Sequence, residues 1–328
     1  MIQNDKRRPA IPAAFFVAVL AVAGSALAQD AYRPPRHSDG HPDLEGDWNN
    51  SSLTTLERPM AYGQHLTMTD DEAAAIEDSF TDFFVPTGAP TTTFSFGQGG
   101  DFDAFTSVMR VGRVARTGFI TSTPAGRVPD PKAGANLTPT PSPTEAEMSA
   151  NPENQPAMVR CLPNMTPNAS PVMLPGGYSN NFRIVQGPTA VAIMIQMADA
   201  VRVIRLGGRH RTDGVRPWMG DSIGRWEGDK LVVETTNFPK AQAFEGSWEH
   251  LKVTETFSRA AEDRLLYQFR VEDPDIWNAP WSGEYEFARS PHPIDEYACH
   301  ENDYTLQFSL EAARYEEAHP PAKQAPSP

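Results

Sequence analysis

Between residues 178 and 290 apolar and polar residues alternate with a period of two. The clearest run is Leu251-Lys252-Val253-Thr254-Glu255-Thr256-Phe257. Side chains alternate sides along a strand, so Leu251, Val253 and Phe257 share one face, and Glu255 shares it with them. Comparable runs fill 181–186, 190–197, 201–206, 223–227, 230–236, 250–258, 264–271 and 282–288. Gly228-Asp229 separates two of them as a hairpin turn, and 260–263 separates two others. Eight short strands in so little chain predict a mainly β protein, an antiparallel barrel or sandwich. Helical periodicity occurs outside this block. Thr69-Asp70-Asp71-Glu72 is a capping box ahead of Ala73, Ala74 and Ala75, which predicts a helix over 70–83. A second helix is expected over 303–318, with Leu306, Leu310 and Ala313 on one side.

These patterns divide the chain into an opening segment with one helix (29–123), a proline-rich irregular segment (124–175), the β domain (176–290), a C-terminal segment with a helix (291–319) and a tail (320–328). Twelve of the 31 prolines fall in 124–175, where only one helical turn near 145–148 and no strand period is visible. The stretch 116–122 reads as a short strand. Gly46-x-Trp48 resembles the first strand of lipocalin-type barrels, so a lipocalin-like closure is one form the sheet could take.

The first 28 residues read as a Sec signal peptide. Lys6, Arg7 and Arg8 precede an apolar stretch over 13–24, and Ala26-Leu27-Ala28 supplies a small-x-small cleavage site. A periplasmic or secreted protein is therefore expected. Cys161 and Cys299 are the only two cysteines, and in an oxidising compartment they are expected to form a disulfide.

The formal net charge of −14, from 42 acidic and 28 basic residues, argues against nucleic acid as a partner. No dinucleotide or Walker motif is present, and no cofactor or metal site is expected. Stable membrane insertion is not expected either, and the oligomeric state is left open.

Candidate chemistry centres on Glu255, because a carboxylate on the apolar face must be paired, hydrogen-bonded or shifted in pKa. A catalytic acid or base and an ion pair with Arg202, Arg205 or Arg270 are equally open. His300, beside Cys299, is a candidate general base. Asp221 would complete the catalytic set. Trp218, Arg225, Trp277, Trp281 and Tyr297 are candidate ligand-binding residues, since indoles and phenols with scattered charges suit a cyclic or amphiphilic ligand. Gly220-Asp221-Ser222-Ile223 matches the nucleophile block of GDSL hydrolases, but its place before a β-hairpin argues against that chemistry. Asp101 and Asp103 could contribute to a calcium site but lack the remaining loop ligands.

Four blocks together look like an exported bacterial protein family of unknown function: Gly40-His41-Pro42-Asp43-Leu44-x-Gly46-x-Trp48, Leu56-Glu57-Arg58-Pro59, the run from Trp218 to Val233 built on Trp218-x-Gly220-Asp221-Ser222-x-Gly224-x-Trp226-Glu227-Gly228-Asp229, and Glu296-Tyr297-x-Cys299-His300-Glu301-Asn302. The resemblance implies export and assigns no catalytic residue. Three functions stay in view. The preferred one is an exported enzyme acting on a small cyclic or aromatic compound by acid/base chemistry, as hydrolase, lyase or isomerase. The others are a periplasmic carrier of a hydrophobic or aromatic ligand, and an envelope interaction protein working through the proline-rich segment.

Overall fold

The computed structural model describes residues 32–84, 110–138, 143–163, 167–177, 180–197 and 200–320, without the side chains of 81–84. The signal-peptide reading, the Asp101/Asp103 reading and all but the first residue of the 320–328 tail lie outside the described residues.

Nine strands close into one barrel: β1 (Gly46–Asn49), β2 (Asn181–Gln186), β3 (Ala190–Ile195), β4 (Ala200–Leu206), β5 (Asp221–Glu227), β6 (Lys230–Thr236), β7 (Lys252–Ala261), β8 (Arg264–Glu272) and β9 (Trp281–Arg289). Each strand pairs with the next, and β9 returns to β1 through Trp48↔Arg289 and Asn49↔Ala288. The strand built on Gly46-x-Trp48 is thus the one that closes the sheet. Closure removes the exposed edges that an open sheet would carry. The mainly β barrel with flanking helices is the expected class. It departs from an all-antiparallel sheet at one step, because β4 and β5 run parallel, with Ile204 opposite Ser222. A parallel step needs a crossover of about a dozen residues or more, and 207–220 supplies one in place of a hairpin turn.

The barrel is filled. Alternate residues of most strands point inward, and Phe257, Tyr267, Phe269, Trp281, Tyr285 and Phe287 form a contiguous aromatic centre within a larger aliphatic shell. Ala169, Val172 and Met173 of the proline-rich segment join this core. The Met173 backbone is clamped there: its N–H donates to the Tyr267 hydroxyl at 3.0 Å, and its carbonyl accepts from the Tyr285 hydroxyl at 2.6 Å. The segment expected to be an irregular excursion therefore supplies part of the barrel's interior. Earlier in the same segment, Lys132 N–H donates to Ile276 O at 2.7 Å and Thr138 N–H to Gly246 O at 2.9 Å, strapping the chain across one end of the sheet.

Among the described residues, three α-helices decorate the barrel: α1 (Asp70–Phe84), α2 (Glu145–Ala150) and α3 (Thr305–Ala318). The capping box that predicts α1 is present, with Thr69 N–H donating to Glu72 Oε2 at 2.8 Å. Thr144 and Glu147 form the same device at α2. Arg314 joins α3 to α2 by donating to the carbonyls of Ser149 and Ala150, each at 2.7 Å. Cys161 and Cys299 are bonded to each other. No helix of the described residues is long and apolar enough to cross a membrane.

The expected strand at 116–122 is not a strand. Its backbone groups are shared among several neighbours: Thr117 N–H donates to Leu66 O, Ile120 N–H to Leu56 O and Thr121 N–H to Ser282 O. No continuous ladder forms along one neighbour, and the pairing is limited to isolated bridges such as Ile120↔Gly283. Its Phe119 and Ile120 are nonetheless fully buried.

Candidate functional site

The sequence blocks singled out above turn out to be seams of the fold. His41 stacks on Trp226 at 4.6 Å with planes 6° apart, and Arg36 holds Asp229 by two hydrogen bonds of 2.6 and 3.1 Å. The first and third blocks thus meet across the β5–β6 hairpin. Trp48 donates from its indole to Leu44 O at 3.0 Å and lies under the guanidinium groups of Arg259 and Arg289. Arg58 is buried and spreads its guanidinium over Thr117 Oγ1, Gly63 O and Pro124 O.

Inside the barrel, Glu255 faces inward from β7 as its alternation requires, and it is fully buried. Arg202 of β4 meets it with both terminal nitrogens, one at 3.0 Å from Oε1 and the other against Oε2. Two further guanidinium protons are used: Nε donates to Ser222 Oγ at 3.0 Å and Nη2 to Thr235 Oγ1 at 2.8 Å. Tyr267 donates its hydroxyl proton to Glu255 Oε1 at 2.8 Å. Of the two readings of Glu255, the geometry is that of the ion pair, with Arg202 as partner. Burial, and then the charge on Glu255, push the Tyr267 hydroxyl well above its usual range, so it remains a donor. Burial does the same for Tyr285. A polar thread therefore runs from Ser222 and Thr235 through Arg202, Glu255, Tyr267, the Met173 backbone and Tyr285 to Asn50, whose side chain donates to Tyr285 at 3.1 Å. Ser222, the residue a GDSL reading would make the nucleophile, is buried in this thread.

Asp221 belongs to a different cluster. It is buried and accepts from Arg205 at 2.7 Å and from the Arg211 backbone N–H at 2.8 Å, and it lies 3.1 Å from His210 Nδ1. The other His210 ring nitrogen lies 3.1 Å from Glu234. Glu234 continues to Lys252 at 3.5 Å, and Lys252 to Glu272 at 2.8 Å. Charged partners thus alternate across β5, β6, β7 and β8. The hydrogen bond that the Lys252 ammonium donates to Glu272, against some desolvation, raises its pKa above the ordinary range. Burial alone would raise the Asp221 carboxyl, but the hydrogen bonds from Arg205, Arg211 and His210 outweigh it and hold it below the usual aspartate value. A carboxyl depressed in the folded state contributes stability above its unfolded pKa, which is lost as pH falls through the folded one. Asp221→Asn should therefore cost about 2 kcal/mol at pH 7. That deficit should shrink toward zero as unfolding is measured down to about pH 2–3. An undiminished deficit in acid would show that the charge on Asp221 is not what matters.

The Lys252–Glu272 end of this ladder opens into a cleft of about 630 Å³. It lies between the end of β6, the start of β7 and the 273–280 turn that joins β8 to β9. Trp277, Leu251 and Pro280 give it an apolar wall, and Glu249, Glu272 and Asp273 bring carboxylates. Trp277 packs edge-on against Trp281 at 5.7 Å, which fixes its ring. Lys132 reaches in from the strap and donates its ammonium to Pro274 O. Asp273 is fixed by the buried Ser247 hydroxyl at 2.5 Å. His250, on the lining, has its Nδ1 2.5 Å from the Asp275 carboxylate. The volume lies within the range of small-molecule sites, roughly 300–1,000 Å³. The described residues lining it include no group of three His, Cys, Asp or Glu ligand atoms close enough to share a metal ion.

The residues expected to share one site do not converge. Glu255 is in the barrel interior, and Asp221 is in the β5 cluster. His300 and Tyr297 line a separate cleft of about 220 Å³ beside the disulfide, together with Cys161, Glu296 and Glu301. A Glu255–His300 dyad is not formed. Trp218 is exposed, Arg225 is an exposed partner of Glu227, and Trp281 lies in the core. Of the expected ligand-binding residues, Trp277 alone lines the larger cleft. The residues missed are His250, Asp275, Lys252 and Glu272. Their signal was slight: His250-x-Lys252 leads into β7, and Asp273-Pro274-Asp275 marks a turn. Comparison of the chain with protein-family models, with curated proteins and with solved structures finds no match to any of them.

Proposed function

We propose that the protein is exported and binds a small molecule in the Trp277 cleft. The observation that carries this reading is an open concavity of about 630 Å³ with an aromatic wall, next to a barrel whose own interior is packed solid. The disulfide supports an extracytoplasmic setting, as does the charged and then apolar N-terminal sequence. The ligand chemistry follows from the lining. Trp277 and Pro280 suit a flat or cyclic body. The Lys252 ammonium is already taken by Glu234 and Glu272, and that of Lys132 by Pro274 O. Glu272 is likewise held by Lys252 and Arg270, and Asp273 by Ser247, so among the lining carboxylates it is Glu249 that favours a cationic or hydrogen-donating head over an anionic one.

A second reading, catalysis, rests on His250. A carboxylate on Nδ1 fixes the tautomer and orientation of an imidazole, the arrangement a general base needs. The two readings separate in one experiment. The purified protein is screened by thermal shift against aromatic amines, neutral aromatics and aromatic carboxylates. A ligand present at a hundred times its dissociation constant should stabilise the fold by about 2.7 kcal/mol. Amines should shift the midpoint most. A hit recovered unaltered is a ligand. A hit converted by the wild type and not by His250→Asn is a substrate. A screen in which only carboxylates bind would contradict the proposed site.

A further inference from the structure

The cluster at the second, smaller cleft has chemistry that the barrel does not use. We propose that Cys161, Cys299, Asp303 and His300 form a zinc-type metal site when the disulfide is reduced. The sulfur atoms of the two cysteines and a carboxylate oxygen of Asp303 all lie within 4.8 Å of one another, the one such group among the described residues. His300 follows Cys299 directly and lines the same cleft as both cysteines. Its exposed imidazole lies outside the group of three and would turn toward the ion to become the fourth ligand. Two thiolates, an imidazole and a carboxylate make a donor set that suits tetrahedral zinc.

Asp303 Oδ1 accepts from the Thr305 backbone N–H at 2.9 Å, a turn contact that fixes the carboxylate at the start of α3. The cysteines lie on unrelated stretches of chain, 138 residues apart, with Cα atoms 5.9 Å from each other. That spacing accommodates two Zn–S bonds of about 2.3 Å meeting at one ion. His300 is exposed, and the cleft of about 220 Å³ gives an ion a path in.

The chemistry balances with a dithiol as reductant. The dithiol passes two electrons and two protons to the disulfide. It leaves as a cyclic disulfide, and Cys161 and Cys299 remain as thiols. The incoming Zn²⁺ then displaces both thiol protons to solvent and takes the two thiolates, the Asp303 carboxylate and the neutral His300 imidazole. In reverse, the cyclic disulfide accepts two electrons from the thiolates and two protons from solvent, the Cys161–Cys299 bond re-forms and the ion is released, so the same residues hold either a covalent tie or a metal.

The test uses the whole protein, reduced with dithiothreitol, desalted without oxygen and titrated with Co²⁺ as a spectroscopic stand-in for zinc. The expected result is a thiolate-to-cobalt charge-transfer band that saturates at one equivalent, is bleached by Zn²⁺ and is absent from the oxidised protein. Asp303→Asn keeps an oxygen for the Thr305 N–H, and His300→Ala alters an exposed side chain, so both should fold. Each should weaken Co²⁺ binding roughly tenfold or more. Absence of the band in reduced protein would overturn the proposal. So would unchanged affinity in either variant, or loss of the near-ultraviolet circular dichroism of the barrel aromatics on reduction, since the site requires the folded chain.

Discussion

Glu255→Ala is expected to destabilise the protein by about 3–5 kcal/mol. The substitution removes one half of an ion pair in which neither side chain is more than 2% exposed. Arg202 would be left charged inside the barrel with only Ser222 and Thr235 to satisfy it. Tyr267 would lose the acceptor for a hydroxyl proton that burial prevents it from giving up. The cost comes mostly from the stranded guanidinium, which gives the prediction a second limb. The double change Arg202→Met and Glu255→Leu removes both charges at similar volume and should recover most of the loss, because a buried pair is worth little more than a well-packed apolar replacement. Urea unfolding of the three proteins reads both numbers. A catalytic Glu255 would behave in the opposite way, with normal stability and no turnover. A single mutant within about 1 kcal/mol of wild type would remove the structural reading of the pair.

Gly283→Ala should cost about 3 kcal/mol or more, although it adds a single methyl group. A Cβ at this position of β9 would stand 2.3 Å from Phe119 O and 2.5 Å from Phe269 Cζ. Neither neighbour is free to withdraw. Phe119 O accepts from Glu284 N–H at 3.0 Å, and Phe269 is packed against Trp281 in the core. The 119–121 segment lies directly on β9 at this point, and only a residue without a side chain lets it come so close. Gly228 provides the contrast. It sits at φ 59° in the β5–β6 turn with nothing near its Cβ direction. Asparagine tolerates that backbone, so Gly228→Asn should stay within about 1 kcal/mol of wild type. Equal losses at the two positions would mean that close approach is not the reason for Gly283.

Much of the barrel was legible because its signals are local. Alternation alone placed Glu255 on the inner face of β7, and Gly228-Asp229 marked the β5–β6 hairpin. Thr69 and Glu72 marked the start of α1, and the two cysteines had only each other. What was not legible depends on closure. Nothing near residues 207–220 distinguishes a crossover from a long hairpin loop, so the parallel β4–β5 step was missed. Met173 sits in a proline-rich stretch without periodicity, and its place in the core becomes evident only when Tyr267 and Tyr285 are seen to hold its backbone. The cleft is the extreme case. Lys132, His250 and Trp277 come from a strap, a strand start and a turn, and no spacing in the sequence connects them. Conversely, the densest motifs proved to be seams such as His41 on Trp226. Packing constraints select particular residues as narrowly as chemistry does, so a dense motif is not by itself a site.

The most direct measurement is calorimetric titration of the best amine from the screen into wild type and into Ala279→Trp. Ala279 is an exposed residue of the cleft lining, so an indole there should fill the concavity without disturbing the core. The expected result is a dissociation constant at least about tenfold higher in the variant, a loss of roughly 1.4 kcal/mol, with an unchanged melting midpoint. Equal affinity in the two proteins would place the ligand elsewhere and contradict the assignment of the Trp277 cleft.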